Sequence, residues 1–65
     1  MPYINIKVAG KISVEQKKEI AKDISDSIQR VLGKSKKSCY IVFDEVEREN
    51  WAVGDMLLSE KKKDG

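Results

Sequence analysis

The sequence predicts an α+β protein made of one β-α-β unit, with parallel strands, one long helix and a C-terminal hairpin. Three observations predict it: a segment of alternating apolar residues, a one-sided helical repeat, and then an unbroken apolar run. Strands joined by a helical crossover of this length run parallel. The 65 residues suffice for a single domain, 1–65, in which we expect 1–58 to form the core and hairpin and 59–65 a frayed basic tail.

The first strand is predicted over residues 3–8. Apolar and polar residues alternate there, so that Ile4, Ile6 and Val8 share one face of the strand. Pro2 stands directly before this segment. Because proline has no amide hydrogen to donate to a ladder, it is tolerated at the first residue of a strand.

A helix is predicted from Val14 to Leu32. Ser13 is followed three residues later by Gln16, a capping-box pattern that places the helix start there. Gly33 suits the left-handed position that ends a helix. Apolar residues recur every four positions along the helix and form one stripe: Ile20, Ile24, Ile28 and Leu32.

The second strand is predicted within the apolar run from Cys39 to Phe43. An unbroken run is typical of a strand that is covered on both faces. One helix can cover only one face, so we expect a second copy of the chain to cover the other. Residues 51–58 then form two short apolar segments around Gly54 and Asp55, which predicts a hairpin that reaches a neighbouring subunit.

Size and composition also favour self-association. A chain this short buries only about 60% of its unfolded surface and is marginally stable alone. The sequence has one cysteine and no histidine, which excludes an intramolecular disulfide and a Cys/His zinc site. We therefore expect no metal and a homo-oligomer.

The balance of acidic and basic residues indicates which kinds of partner the protein can be expected to bind. Thirteen basic and eleven acidic residues give a net charge of +2, which does not indicate a dedicated nucleic-acid binder. No apolar segment approaches the ~20 residues of a membrane span, and no signal peptide is recognisable. We expect a cytoplasmic protein that binds a small molecule and neither nucleic acid nor membrane.

The absence of histidine limits the choice of a general base. A free α-amino group, with an ordinary pKa of about 7.7–8.0, is one group that can act near neutrality. Pro2 supplies such a group if Met1 is removed, and an apolar pocket or a cation such as Lys11 would favour its neutral form. On the residues alone, however, Pro2 is more simply a strand start. Cys39 is interpreted as a small apolar core residue without a partner to activate it.

Four segments of the sequence carry a family resemblance. They are the start Met1-Pro2, the helix opening at 15–17, the strand end at 44–46, and the segment Asn50-Trp51-Ala52-Val53-Gly54. Together they resemble the 4-oxalocrotonate tautomerase family of small β-α-β enzymes, over roughly residues 2–58.

The resemblance implies an assembly and a reaction. Members are built from dimers, often as hexamers, so a homohexamer arranged as a trimer of dimers is expected. No cofactor or metal is expected. Pro2, freed of Met1, would move a proton to or from the carbon beside a carbonyl and so interconvert the enol and keto forms of a small 2-oxo acid.

The substrate-binding residues of the family match only in part. The family arginine that precedes the helix falls at Ile12, beside Lys11, and the arginine early in the second strand falls at Tyr40. Trp51 matches the aromatic residue of the C-terminal hairpin. We expect Lys11, Tyr40 and Trp51 to bind substrate, although a lysine lacks the planar fork of arginine. A monoacid such as an arylpyruvate is therefore expected rather than a dicarboxylate.

Two alternatives remain open at this point. Because the family arginines are missing, the chain could be an oligomeric scaffold or binding protein that keeps the fold without the catalysis. A protonated Pro2 would instead suit a dehalogenase- or hydratase-type reaction.

Overall fold

Two parallel strands form the centre of the fold. In the computed structural model, which describes residues 1–61, β1 spans Tyr3–Ala9 and β2 spans Tyr40–Val46. They pair in parallel from Tyr3 opposite Tyr40 to Ala9 opposite Val46, which confirms the predicted β-α-β topology. Residues 62–65, part of the expected basic tail, lie outside the described residues.

The helix α1 spans Val14–Leu32, the predicted bounds. The hydroxyl of Ser13 accepts from the Gln16 amide at 3.1 Å, and Oε1 of Gln16 accepts from the Ser13 amide at 2.8 Å, so the capping box is present. At the other end Gly33 has φ 70° and its amide donates to the Gln29 carbonyl at 3.0 Å. Local signals therefore fix both ends of the helix.

The second strand begins one residue after the start of the apolar run and ends at Val46, within the strand end expected at 44–46. A 3-10 turn at Lys36–Ser38 precedes it, and the Cys39 amide donates to the Lys36 carbonyl of this turn at 3.2 Å. Cys39 therefore ends the turn and does not begin the strand. The strand continues through polar residues to Val46, because β1 offers backbone partners as far as Ala9.

The helix covers one face of the two-stranded sheet. Glu45 forms an ion pair with Lys17 of α1 at 3.4 Å, so the face that carries Glu45, Phe43 and Ile41 lies toward the helix. The opposite face carries the Lys7–Asp44 ion pair at 2.6 Å. Asp44 and Glu45 therefore point to opposite faces, as expected for adjacent strand residues.

A small hairpin follows the sheet. The strands β3, Ala52–Val53, and β4, Met56–Leu57, pair antiparallel around Gly54, whose φ of 65° lies in the left-handed region. Leu58–Glu60 then forms a 3-10 turn. The hairpin prediction is confirmed. The 3-10 turn includes residues 59 and 60, which were expected to belong to the frayed tail.

The single chain leaves its apolar residues open to solvent. Among residues 1–61 no side chain is fully buried, and Tyr3, Tyr40 and Val42 of the helix-free face are 64%, 57% and 44% exposed. The radius of gyration is 14.9 Å, against about 11 Å for a compact domain of this length. No helix in residues 1–61 is both long and apolar enough to cross a membrane.

Candidate active site

Pro2 and Tyr40 are neighbours at the amino-terminal edge of the sheet. The Pro2 carbonyl accepts from the Tyr40 amide at 2.9 Å, which holds Pro2 beside the start of β2. Pro2 is half-buried, whereas Met1 is 82% exposed. Because Met1 is attached in this chain, the nitrogen of Pro2 is an amide here and becomes a base only on removal of Met1.

Lys11 lies at the opposite edge of the sheet, in the turn between β1 and α1. The Gly10 amide donates to the Val46 carbonyl at 2.9 Å, and Gly10 has φ 100°, so the chain turns sharply there. The Ile12 amide donates to Oε2 of Glu45 at 2.9 Å. This hydrogen bond, supported by the Lys17 and Lys11 ammonium groups, lowers the pKa of Glu45.

Trp51 also lies at this carboxyl-terminal edge. Its amide donates to the Arg48 carbonyl at 3.4 Å, and its carbonyl accepts from the Leu58 amide at 2.8 Å. Nη2 of Arg48 donates to the Leu58 carbonyl at 2.9 Å and so fastens the base of the hairpin. Trp51 is half-buried and lines an open pocket of ≈ 340 Å³. The rest of the lining is Lys7, Val46, Asn50 and Ala52.

One protomer therefore does not bring the four predicted site residues together. Each strand has seven residues and is about 23 Å long. Pro2 and Tyr40 lie at the amino-terminal ends of the strands, whereas Lys11 and Trp51 follow the carboxyl-terminal ends. Pro2 does not line the Trp51 pocket, nor a second open pocket, which is lined by Ile12, Ile20 and neighbouring residues of α1. A site that used all four residues would need Lys11 and Trp51 from a neighbouring subunit.

A basic loop, residues 34–37, lies at the Pro2 edge. Nζ of Lys36 binds Oδ1 of Asp26 at 3.2 Å, and the Lys36 amide donates to Oε1 of Gln29 at 3.2 Å. Lys22 hydrogen-bonds to the same carboxylate at 2.7 Å and, with Lys36, lowers the pKa of Asp26. No role at the site was predicted from the sequence for the lysines of this loop. Their position beside Pro2 follows from the parallel register, which the sequence pattern already predicted.

No cluster of three or more potential metal-ligating side chains occurs in residues 1–61. The groups that the described chain offers at the Pro2 edge include the ammonium groups of the basic loop and the phenol of Tyr40. Such groups can hold an anion and stabilise a developing oxyanion.

Comparison with known proteins identifies the family. The model of the tautomerase enzyme family matches residues 2–61. The chain belongs to the tautomerase family. A probable tautomerase, K2, of Dickeya dadantii is 30% identical over 64 residues, which cover 97% of this chain and 96% of the relative.

Solved structures of the tautomerase family share the fold. DmpI from Helicobacter pylori is 32% identical, with a TM-score of 0.83 over 92% of this chain and 100% of that one. A heterohexameric 4-oxalocrotonate tautomerase from Chloroflexus aurantiacus is 24% identical, with a TM-score of 0.84 over 95% of this chain and 100% of that one, and shows likeness of fold alone. The predicted family and the α+β tautomerase fold are confirmed.

Proposed function

We propose that this chain is a cofactor-independent keto–enol tautomerase, an isomerase acting on a small 2-oxo acid with Pro2 as general base and acid. The observation that carries the proposal is the place of Pro2. It stands directly before β1, where the match to the tautomerase family begins, and a hydrogen bond to Tyr40 holds it at the sheet edge. Removal of Met1 would turn its nitrogen into a secondary amine at this fixed position.

The proposed reaction balances with the chain's own groups. The neutral Pro2 nitrogen takes a proton from the carbon next to the carbonyl, the electron pair of that C–H bond forms the C=C bond, and the carbonyl oxygen gains the negative charge. The protonated Pro2 then gives the proton to this oxygen, which yields the enol. Ketonisation is the same sequence in reverse.

The remaining predicted residues take supporting roles in this proposal. Tyr40, beside Pro2, donates a hydrogen bond to the developing enolate oxygen. Lys11 and Trp51 come from a neighbouring subunit, where Lys11 steers the anionic substrate and Trp51 forms an apolar wall. The proposed assembly is a homohexamer, a trimer of dimers, and the proposed location is the cytoplasm.

The test is the ketonisation of an arylpyruvate enol, followed by the loss of its ultraviolet absorbance. Pro2→Ala replaces the ring nitrogen by a primary amine that is less basic and less firmly positioned, and it is expected to lower kcat/KM by about 100-fold. Lys18→Ala, a change at an exposed helix residue outside the proposed site, is the control and should keep the wild-type rate. Intact mass must show that Met1 is removed from all three proteins.

An undiminished rate in Pro2→Ala would contradict the proposal. A wild-type protein that lacks Met1 and ketonises no enol acid would favour the second candidate, a scaffold or binding protein with this fold. That candidate is favoured by Ile12 and Tyr40, which stand where the family has arginines.

A further inference from the structure

The basic loop is close enough to Pro2 to contact a substrate bound there. The Tyr40 amide is hydrogen-bonded to the Pro2 carbonyl, across a strand spacing of about 4.8 Å. Lys37 precedes Tyr40 by three residues, so their Cα atoms are at most about 11 Å apart. The long side chain of Lys37 can cover much of that distance.

Positive charge is concentrated at this edge of the sheet. Between Asp26 and Asp44 the chain has no acidic residue but four basic ones: Arg30, Lys34, Lys36 and Lys37. The whole chain has a net charge of only +2, so the residues outside this segment carry a net charge of −2. An anion that approaches the protein is therefore attracted to the Pro2 edge.

Contacts within the loop leave two of its ammonium groups available. Lys36 is bound to Asp26, which fastens the loop to α1. Lys34 and Lys37 are exposed, and neither forms an ion pair with any residue in 1–61. The Lys37 amide donates to the Ser35 hydroxyl at 3.2 Å, so the backbone of Lys37 is held while its ammonium group is free to bind an anion.

The substrate chemistry fits this arrangement. In a 2-oxo acid the carboxylate is only two bonds from the carbon that exchanges its proton, so the carboxylate must lie within a few ångströms of the Pro2 nitrogen. An ammonium group at this place holds the anion and also stabilises the negative charge that develops on the enolate oxygen.

We propose that Lys37 binds the substrate carboxylate in the Pro2 site and makes that site selective for anionic over neutral carbonyl compounds. The inference rests on the proposed function, because it places the reacting carbon at Pro2. Lys37 takes the carboxylate-binding role on its own chain, whereas Lys11 would have to come from another.

Binding of an unreactive probe tests the role of Lys37 separately from turnover. Benzoylformate has a carboxylate next to a ketone and no hydrogen on the carbon beyond it, and its methyl ester is the neutral counterpart. By calorimetry, Lys37→Gln is expected to weaken benzoylformate binding about tenfold, the worth of one charge-assisted hydrogen bond. The same variant should leave binding of the ester unchanged, and Lys37→Arg should restore binding of the acid.

The matched control is Lys18→Gln. Lys18 is exposed on the first half of α1, which lies over the edge away from Pro2, and it pairs with no carboxylate in residues 1–61. Its loss removes the same charge and should leave binding of both probes unchanged. Circular dichroism of each variant checks that the fold is kept.

Three results would overturn the inference: equal binding of benzoylformate by wild type and Lys37→Gln, an equal loss with Lys18→Gln, or no binding by the wild type. Failure of the proposed function has a different signature. In that case the probe binds as expected, but the protein either ketonises no enol acid or does so at a rate that Pro2→Ala leaves unchanged.

Discussion

At the scale of single residues, Glu45 holds the turn that carries Lys11. Its carboxylate accepts from the Ile12 amide at 2.9 Å and pairs with Lys17 at 3.4 Å. The Ile12 hydrogen bond lowers the pKa of Glu45 from its ordinary value of 4.5. A carboxyl group whose pKa is lower in the folded state stabilises the fold at every pH above its unfolded pKa, and this contribution is lost as the pH falls through the folded pKa.

Glu45→Gln should therefore destabilise the protein more at about pH 7 than at about pH 3, because the wild-type contribution is lost as the pH falls through the folded pKa of Glu45. The measurement is urea unfolding of both proteins at a series of pH values and at one protein concentration, because assembly also adds to stability. Glu15→Gln, on an exposed carboxylate without an ion pair in residues 1–61, is the control. A Glu45→Gln effect that is the same at both pH values would contradict this role.

At the scale of elements, the helix is defined by its two ends. Ser13→Ala removes the hydroxyl that accepts from the Gln16 amide and should lower the free energy of unfolding by about 1 kcal/mol. Ser13→Asp keeps a capping acceptor and should restore most of the loss. Thermal unfolding by circular dichroism measures both variants, and an unchanged midpoint for Ser13→Ala would show that the cap does not stabilise the helix.

The elements also show what the sequence could and could not predict. Ser13, Gln16 and Gly33 act within one helical turn, so the sequence predicted the helix at its observed bounds. The apolar run alone predicted β2 only as far as Phe43, whereas the family resemblance placed the strand end at 44–46, and β2 pairs with β1 as far as Val46. The start of β2 was predicted one residue too early, because Cys39 belongs to the apolar run although its amide bonds to the preceding 3-10 turn at Lys36–Ser38.

The site was predictable only in part. That Pro2 and Tyr40 are neighbours follows from the parallel register, and so does the placement of Lys11 and Trp51 at the opposite edge. The role of Glu45 at the Lys11 turn depends on how the turn packs against the end of β2, and no spacing in the sequence indicates it. The predicted roles of the four site residues remain proposals.

At the scale of the whole molecule, the surface left open by one chain indicates where a second chain binds. The helix covers one face of the sheet, and the other face presents the exposed side chains of Tyr3, Tyr40 and Val42. With no side chain fully buried among residues 1–61, a single copy lacks the core that a stable small domain needs. We infer that another copy covers the helix-free face.

Val42 tests this inference because it lies at the centre of that face, between the Tyr3–Tyr40 and Lys7–Asp44 pairs of the ladder. Val42→Asp would place a charge where a partner must exclude water, which is strongly unfavourable for an unpaired carboxylate. We therefore expect the variant to dissociate, with a smaller mass in sedimentation velocity at the same concentration. Val14→Asp, the same change at a residue 60% exposed at the start of α1, should assemble normally. Assembly of Val42→Asp at the wild-type mass would show that this face is not an interface. The second copy would then have to bind at the exposed apolar residues of the helix or the hairpin.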